Sequence, residues 1–265
     1  MKLGFIGAGE MGGALLRGLL KAGCAATDLI VSVRTVEKAN WLTGTLGIAA
    51  YTDNKRVFSE ADWIFLAVKP AQMPQVLTEL AQSGVAPKPI ISMALGWTIE
   101  KIQKTLPGWP VIRIMPNMPL SVGKGATLFQ FASQTPEHVR REVRAWFDKM
   151  GSTYEIADAA FDVATALSGS GPAFVYQFID ALAQAGEQQG LDADTARSLA
   201  LQTVCGAALL AAQAEVTPAR LAQQVATPGG CTAAGMEVLL SSDLKEIMNA
   251  AIEATARKAR EVASR

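Results

Sequence analysis

A glycine-rich turn close to the N-terminus constrains the fold of this chain more than any other feature. The apolar run Leu3–Ile6 predicts a buried strand, and the segment that follows it, Gly7–Gly12 (GAGEMG), fits the pattern G-x-G-x-x-G. Leucines at positions 15, 16, 19 and 20 then form the apolar face of a helix. A strand, a glycine turn and a helix in this order predict a dinucleotide-binding unit. The alternative is a glycine-rich turn in an unrelated α/β protein.

The three glycines of this turn have separate physical roles in a dinucleotide-binding unit. Gly7 permits the tight turn, Gly9 lets a pyrophosphate approach the backbone, and Gly12 lets the helix pack close to the strand. The N–H groups in the first turn of the helix face the phosphates. We therefore predict that the whole turn binds the cofactor, through Gly7, Ala8, Gly9, Glu10, Met11 and Gly12.

Composition and charge narrow the class of partner. Hydrophobic residues make up 50% of the 265-residue chain, which is typical of a globular protein. Its 24 Lys and Arg residues balance 24 Asp and Glu residues, so we predict no nucleic-acid partner. No apolar run approaches the ~20 residues of a membrane span, and we predict no membrane partner. The three scattered cysteines fit free thiols, which predicts a cytoplasmic location. The one histidine, His138, lies in a charged segment, and we predict no metal site.

Short apolar segments recur through the first 158 residues in the alternating order of a βα repeat. Besides Leu3–Ile6, strands are predicted at Leu29–Val33, Gly47–Tyr51, Trp63–Val68, Pro89–Ser92, Val111–Ile114, Ala126–Phe129 and Thr153–Ile156. The continuous hydrophobicity of the central segments is typical of a parallel sheet that is covered on both faces. We predict an α/β fold in which residues 1–158 form a Rossmann-type, doubly wound, mostly parallel sheet that binds NADP.

The end of the second strand indicates which dinucleotide is bound. In this fold an acidic residue about 20 positions after the glycines holds the ribose 2′-hydroxyl of NAD. Arg34 lies 34 − 12 = 22 positions after Gly12. No Asp or Glu lies between Ser32 and Val36. Arg34, with the hydroxyls of Ser32 and Thr35, suits a 2′-phosphate instead, so we predict that NADPH is preferred and that NADH is an alternative cofactor. The other interpretation is that Arg34 is an ordinary exposed loop residue.

A second part of the nucleotide site is expected after the fourth predicted strand, where the apolar run gives way to Ala67-Val68-Lys69-Pro70. Ligands of open α/β sheets bind at the carboxyl ends of the strands. The segment that leaves this strand would lie at that edge. We therefore predict that Ala67, Val68, Lys69 and Pro70 bind the cofactor.

The sequence changes character at about residue 159, where an alanine-rich helical region begins. Helices are predicted along Phe174–Leu182, at Ala193–Gln213 and Pro218–Val225, and from Ser242 onward. Because so many alanines make a thin core, we predict that residues 159–265 form an all-helical domain that buries one face against a second subunit. The alternative is that these helices simply pack back on the first domain.

Two glycine-rich loops interrupt the helical region, one at Leu167–Ala173 and the other at Thr227–Thr232. Each loop precedes a helix. A glycine-rich helix N-terminus presents N–H groups that can bind an anion such as a carboxylate. Ordinary N-caps formed by Ser and Thr side chains explain each loop about equally well.

Taken together, these motifs resemble those of the pyrroline-5-carboxylate reductase family, and the resemblance spans nearly the whole chain. The matching segments are GFIGAGEMGGALLRGL at Gly4–Leu19, AVKP at Ala67–Pro70, RIMPNMP at Arg113–Pro119, ALSGSGPAFV at Ala166–Val175 and PGGCTAAGM at Pro228–Met236. The chain departs from the family pattern at three positions. Met118 and Cys231 replace the more usual threonines, and Thr227 stands where serine is common.

The resemblance implies an activity, an assembly and a set of site residues. Members of the family reduce the C=N bond of Δ1-pyrroline-5-carboxylate to L-proline with NAD(P)H, which is the last step of proline biosynthesis. They form intertwined homodimers through the helical domain. The resemblance leaves open whether these dimers assemble into a larger ring. By position, the residues implied at the adenosine ribose or its phosphate are Arg34, Thr35 and Asn54, and those at the nicotinamide are Ala67, Lys69 and Pro70. The residues implied at the substrate are Thr227, Gly229, Gly230, Cys231 and Thr232, and Thr232 is the catalytic residue nearest the ring nitrogen.

Two other functions are compatible with parts of the sequence. Related β-hydroxyacid dehydrogenases place a lysine on the helix after a similar glycine loop, but residues 173–180 contain none, and the only lysines after Gly151 are Lys245 and Lys258. A hydroxy acid needs a positioned acid–base group at its oxygen, whereas a cyclic imine accepts a proton readily and needs chiefly orientation. The third interpretation is a non-catalytic NADP-sensing module, and the glycine loops and Thr232 argue against it.

Overall fold

The computed structural model describes residues 1–263, and within them the first part of the chain is built on one eight-stranded sheet. The strands are β1 (Leu3–Ile6), β2 (Leu29–Ser32), β3 (Ala49–Tyr51), β4 (Trp63–Leu66), β5 (Ile90–Ser92), β6 (Val111–Met115), β7 (Gly125–Phe131) and β8 (Gly151–Glu155). Every predicted strand is present, and the observed ends differ from the predicted ones by two residues or fewer.

The strand order in the sheet is β3-β2-β1-β4-β5-β6-β7-β8. The strands from β1 to β6 are parallel to one another, β7 is antiparallel to β6, and β8 is parallel to β7. The order reverses at β1, which lies between β2 and β4. In open α/β sheets the ligand crevice lies at such a reversal, outside the carboxyl ends of the strands. The predicted Rossmann-type, mostly parallel sheet is confirmed.

Helices cover both faces of this sheet. They are α1 (Glu10–Lys21), α2 (Val36–Leu46), α3 (Asn54–Glu60), α4 (Met73–Ala81), α5 (Ile99–Gln103), α6 (Glu137–Asp148) and α7 (Asp158–Ser168). Successive strand residues point to opposite faces, so Phe5 packs in one buried cluster with residues of α1 and α6, whereas Ile6 packs in another with residues of α3, α4 and α5. Since both faces of the central strands are buried, β1 and β4 are continuously apolar rather than alternating.

The chain from Gly171 to Glu253 forms a separate compact unit that consists of helices. They are α8 (Gly171–Gln188), α9 (Ala193–Gln213), α10 (Pro218–Val225), α11 (Cys231–Leu240) and the first part of α12 (Leu244–Ala263). The predicted bounds of α9 and α10 agree with the observed ones. The helical character predicted for the second part of the chain is confirmed.

The compact units divide at a different residue from the predicted domains, 1–158 and 159–265. The first unit extends to Ser170 and also includes the chain from Ala254 onward. Helix α7 contacts β7 and therefore packs with the sheet. We treat 1–158 and 159–265 as proposed functional regions rather than as packing units.

Many large apolar side chains of the second unit are exposed, including Tyr176, Phe178, Leu199, Leu201, Leu210, Val238, Leu240 and Ile247. By length and composition α9 could cross a membrane, and only 11% of its most apolar window is buried. The prediction that no segment approaches this length is therefore wrong for α9, because its mean hydropathy stays high although polar residues and Arg197 interrupt the apolar run. The absence of a membrane partner stays a prediction.

The last turns of α12 pack on the first unit at Gly96. Gly96 has a φ of +77°, and a Cβ atom there would lie 2.7 Å from the Cα of Ala263. The Lys101 ammonium group donates a hydrogen bond to the carbonyl oxygen of Ala263 over 3.2 Å. The sheet unit is therefore completed by a segment that is distant from it in sequence.

Candidate active site

An open cleft of about 840 Å³ lies at the carboxyl ends of the parallel strands in the first unit. Its walls are the glycine turn after β1, the segment from β2 into α2, the start of α3, the loop after β4 and one face of α4. Backbone hydrogen bonds hold the first of these segments to its neighbours: the Gly7 N–H donates to the Ser32 oxygen, and the Ala67 N–H donates to the Ile6 oxygen, each over 2.9 Å. The cleft occupies the place where a Rossmann sheet binds a dinucleotide.

The glycine turn has the geometry that its sequence predicts. Gly7 has a φ of +93°, and a Cβ atom there would lie 2.7 Å from the carbonyl oxygen of Ala67. A Cβ atom at Gly12 would lie 3.1 Å from the Cβ of Ala67 and from the oxygen of Gly7, so Gly12 allows α1 to approach the sheet. Gly9 differs, because a Cβ atom there would meet nothing within 4 Å. This open space beside the N-terminus of α1 fits the pyrophosphate of a dinucleotide.

Most of the predicted cofactor residues line this cleft, namely Gly7, Ala8, Gly9, Arg34, Thr35, Asn54, Ala67, Val68 and Lys69. Glu10 lines a smaller cavity of about 280 Å³ next to it. Gly12, Met11 and Pro70 line neither cavity. Met11 packs against the hydrophobic core, and the Pro70 oxygen accepts a hydrogen bond from the indole N–H of Trp97 over 3.1 Å. Direct contact of these last residues with the cofactor stays a prediction.

Positive charge is concentrated where β2 ends. Arg34, Lys38 and Lys55 are exposed and line the cleft. Thr35 is the N-cap of α2, since its hydroxyl oxygen accepts a hydrogen bond from the Lys38 N–H over 3.3 Å. The sequence pattern does not single out Lys38 or Lys55. Lys38 could have been found, because the first turn after β2 lies at the same edge as Arg34.

Asn54, the first residue of α3, is held by a chain of side-chain hydrogen bonds. The Ser32 hydroxyl donates to Asn54 Oδ1 over 2.5 Å, and Asn54 Nδ2 donates to Glu79 Oε2 over 2.6 Å. Gln75 Nε2 then donates to Glu79 Oε1 over 2.8 Å. All of these side chains line the cleft. The sequence identifies Asn54 through the family resemblance, but nothing in it links Asn54 to Glu79, which lies on another helix.

A residue of β6 and one of the segment after it contact the two ends of α7. Arg113 is 3% exposed, and its guanidinium forms an ion pair with Asp158, the first residue of α7, over 3.2 Å. Burial lowers the pKa of Arg113, and the negative charge of Asp158 opposes that shift. At the other end of α7, Asn117 Nδ2 donates to the Ser168 oxygen over 2.9 Å. The segment Arg113–Pro119 thus has a structural role, since it positions the helix that leads into the first glycine-rich loop.

The predicted substrate loop, Thr227–Thr232, lies in the second unit. The Gly230 N–H donates to the Thr227 oxygen over 2.9 Å, and a Cβ atom at Gly230 would lie 2.7 Å from Thr227 Oγ1. Helix α11 begins at Cys231 with Gly230 as its N-cap, and no side chain caps it. Thr232 is exposed in the first turn. The interpretation of this loop as an ordinary Ser or Thr N-cap is therefore wrong, and the Cys231 and Thr232 N–H groups at the start of α11 have no acceptor within the helix.

The sheet, the glycine turn and the cleft define a Rossmann-type, dinucleotide-dependent oxidoreductase. Residues 2–96 match a family described as NADP oxidoreductase, coenzyme F420-dependent, and residues 158–262 match one described as pyrroline-5-carboxylate reductase dimerisation. The pyrroline-5-carboxylate reductase of Methanosarcina acetivorans is 35% identical over 97% of this chain and 96% of that protein. That of Aquifex aeolicus is 36% identical over 99% of this chain and 97% of that protein. The chain belongs to the pyrroline-5-carboxylate reductase family.

Solved structures agree with this assignment. The pyrroline carboxylate reductase of Plasmodium falciparum, solved with NADP bound, has a TM-score of 0.90 and 29% identity, over 99% of this chain and 98% of that one. A prephenate dehydrogenase of Aquifex aeolicus has a TM-score of 0.53 and 15% identity over 68% of this chain, and shares the fold alone. The family resemblance predicted from the sequence motifs is confirmed.

Proposed function

We propose that this chain catalyses the NAD(P)H-dependent reduction of the C=N bond of Δ1-pyrroline-5-carboxylate to L-proline, the last step of proline biosynthesis. The main support is the similarity to pyrroline-5-carboxylate reductases, which extends over nearly the whole of both chains. The open space at Gly9 and the cations beside β2 fit a phosphorylated dinucleotide at the expected edge of the sheet. NADP is therefore the proposed cofactor.

The proposed chemistry requires few catalytic groups from the protein. When bound, NAD(P)H supplies a hydride, which the imine carbon accepts. A cyclic imine is basic enough to take its proton from water, so the protein must chiefly orient the reactants. In this proposal the N–H groups of Cys231 and Thr232 bind the substrate carboxylate, and the Thr232 hydroxyl holds the ring nitrogen, while the Gly230 N–H closes the loop on the Thr227 oxygen. Thr227 and Gly229 shape the loop.

The two regions of the chain have separate proposed roles. Residues 1–158 bind the cofactor, and residues 159–265 supply the substrate loop and the dimer interface. The pyrophosphate is assigned to the turn Gly7–Gly12, the adenosine ribose and its phosphate to Arg34, Thr35 and Asn54, and the nicotinamide to Ala67, Val68, Lys69 and Pro70. Lys38 joins Arg34 in this assignment, because both line the cleft at the end of β2.

An assay of NADPH absorbance tests the proposed function. We expect the absorbance to fall when pyrroline-5-carboxylate is added, with L-proline formed in equal amount. The matched control replaces the imine by a β-hydroxy acid with NADP⁺, and we expect no reaction. Oxidation of the hydroxy acid would favour the dehydrogenase alternative. Binding of NADPH without turnover of either substrate would favour the sensing module.

Replacement of Arg34 by aspartate is expected to reverse the cofactor preference from NADPH to NADH. Arg34 provides charge-assisted hydrogen bonds to the 2′-phosphate in the proposal, and aspartate would repel that phosphate. Losing such a bond costs about 1.5–3 kcal/mol, so kcat/KM for NADPH should fall by about 10- to 100-fold, chiefly through KM. The control is Arg141→Asp, which makes the same charge change on the exposed face of α6. An unchanged NADPH/NADH ratio of kcat/KM in Arg34→Asp would exclude Arg34 as the phosphate ligand.

We propose that the chain forms an intertwined homodimer through its helical region. The support is the match of residues 158–262 to the dimerisation family and the exposed apolar side chains of the second unit. Burying this surface against a second copy would remove it from water, which favours association. Sedimentation should therefore show two 28.0-kDa chains at micromolar concentration. A stable monomer would contradict this proposal, and a larger mass would indicate that dimers assemble into a ring.

We also propose a cytoplasmic location without a membrane partner. The cysteines Cys24, Cys205 and Cys231 are all free thiols, as is usual in a reducing compartment. In the proposed dimer the apolar face of α9 lies against protein rather than lipid. Fractionation of cells without detergent should leave the protein in the supernatant. Recovery in the membrane pellet would contradict this location.

A further inference from the structure

Two carboxylates, those of Asp53 and Glu79, line a cleft whose other charged side chains are cations suited to phosphates. Glu79 on α4 is partly buried and lines the same cleft as Arg34, Lys38 and Lys55. Since like charges repel, a carboxylate in this place opposes the binding of an anionic cofactor. Its presence therefore needs an explanation other than charge complementarity.

Both carboxylate oxygens of Glu79 accept hydrogen bonds from amide groups. Oε2 accepts from Asn54 Nδ2 over 2.6 Å, and Oε1 accepts from Gln75 Nε2 over 2.8 Å. A carboxylate offers only acceptors, so the atom of Asn54 that faces it must be the nitrogen. The reverse orientation would place Asn54 Oδ1 against a carboxylate oxygen, where the two would repel each other. Glu79 therefore determines which way the Asn54 carboxamide points.

The orientation of Asn54 in turn fixes the Ser32 hydroxyl. Asn54 Oδ1 can only accept, and it lies 2.5 Å from Ser32 Oγ, so Ser32 must donate its proton to Asn54. Ser32 is 2% exposed, and its oxygen keeps lone pairs for a further donor. Asn54 keeps one N–H and one lone pair. One proton arrangement thus extends from Glu79 through Asn54 to the end of β2, where a Rossmann fold binds the adenosine ribose.

We infer that Glu79 is a positioning residue for the adenosine end of the dinucleotide. It orients Asn54, and through Asn54 it orients Ser32, so that their remaining donor and acceptors meet the ribose hydroxyls or the ribose phosphate. The inference rests on the proposed function, because it takes the cleft to be the NADP site. Glu79 acts through Asn54 and not by touching the cofactor, so its effect falls on cofactor binding and not on the hydride step.

The substitution Glu79→Gln separates orientation from charge, because the two effects have opposite signs. A glutamine has almost the same shape, but it can present its own amide N–H to Asn54 and let that carboxamide turn over. Losing the orientation weakens NADPH binding by about 3- to 10-fold, as expected for one neutral hydrogen bond. Losing the charge alone removes a repulsion and tightens NADPH binding.

The test is a fluorescence titration of NADPH against the wild-type protein, Glu79→Gln and the control Glu37→Gln. Glu37→Gln removes the same charge from the first turn of α2, close in sequence to Arg34. We expect weaker NADPH binding in Glu79→Gln and equal or tighter binding in Glu37→Gln. In steady-state kinetics the KM for NADPH should rise in Glu79→Gln, with kcat at saturating NADPH retained. Equal or tighter NADPH binding by Glu79→Gln overturns the inference.

Two further variants keep the test independent of folding and of the proposed function. Glu79→Asp keeps the charge but shortens the side chain, and it should also weaken NADPH binding because it cannot reach Asn54. In the Asn54→Ala background the orientation is already lost, so Glu79→Gln should no longer weaken NADPH binding, and a further weakening overturns the inference. If the wild-type protein fails to bind NADPH, the proposed function and the inference both fall. If it binds NADPH and no Glu79 variant weakens that binding, only the inference falls.

Discussion

Replacement of Gly9 by alanine is expected to weaken NADPH binding by about 10- to 100-fold and to leave the fold intact. A Cβ atom at Gly9 meets no protein atom within 4 Å, and the backbone there (φ −67°, ψ −164°) is open to any residue. The added methyl group would instead occupy the space proposed for the pyrophosphate. Forcing an extra methyl group into a filled space costs about 1–3 kcal/mol, which corresponds to this loss. Titration with NADPH measures the loss, and a thermal melt checks the fold.

The matched control for this prediction is Gly44→Ala. Gly44 lies in α2, and a Cβ atom there also meets nothing within 4 Å, but Gly44 does not line the cleft. Since alanine is the better helix former, the free energy of unfolding of this variant should be about 0.5–1 kcal/mol higher. Its binding of NADPH should be unchanged. Normal NADPH binding by a well-folded Gly9→Ala protein would contradict the assignment of the turn to the pyrophosphate.

Replacement of Thr232 by alanine is expected to lower kcat by about 10²-fold, with a much smaller rise in KM for the imine. In the proposal the Thr232 hydroxyl holds the ring nitrogen, whose charge changes as hydride arrives, so its contribution is largest in the transition state. Losing one such contact typically costs about 10²-fold in turnover. The carboxylate contacts come from backbone N–H groups and survive the change. Steady-state kinetics with saturating NADPH measures both parameters.

Two neighbouring substitutions are controls for Thr232→Ala. Thr232→Ser keeps the hydroxyl and should retain most activity. Cys231→Thr changes the adjacent side chain, and it should be nearly silent because only the Cys231 backbone is assigned a role. Thr232 is exposed and is not the N-cap of α11. The free energy of unfolding of Thr232→Ala should therefore lie within about 0.5 kcal/mol of the wild-type value. A well-folded Thr232→Ala protein with unchanged kcat would remove Thr232 from the mechanism.

The sheet could be predicted from the sequence because its strands are short, apolar and separated by clear helical or turn signals. The glycine turn was equally predictable, since the roles of Gly7 and Gly12 follow from backbone geometry alone. The position of Arg34 in the cleft followed from its distance to the glycines. In each case the signal lies within about 30 consecutive residues, where local sequence determines local structure.

Features that join distant segments could not be predicted. The link between Asn54 and Glu79 depends on the packing of α3 beside α4, and either side chain alone reads as an ordinary surface residue. The packing of α7 on β7 is difficult to predict, because α7 has the alanine-rich composition of the helical region that follows it. The apolar character of α9 is also difficult to predict, because polar residues and Arg197 interrupt its apolar run.

The return of α12 to the sheet affects how this protein matures during translation. The residues from Ala254 that pack at Gly96 leave the ribosome only after all of residues 171–253 have been made. Domains generally fold in order from the N-terminus as they emerge. The last turns of α12, which complete the sheet unit, are synthesised after the whole helical unit. The sheet unit therefore cannot reach its final form before residues 171–253 have been synthesised.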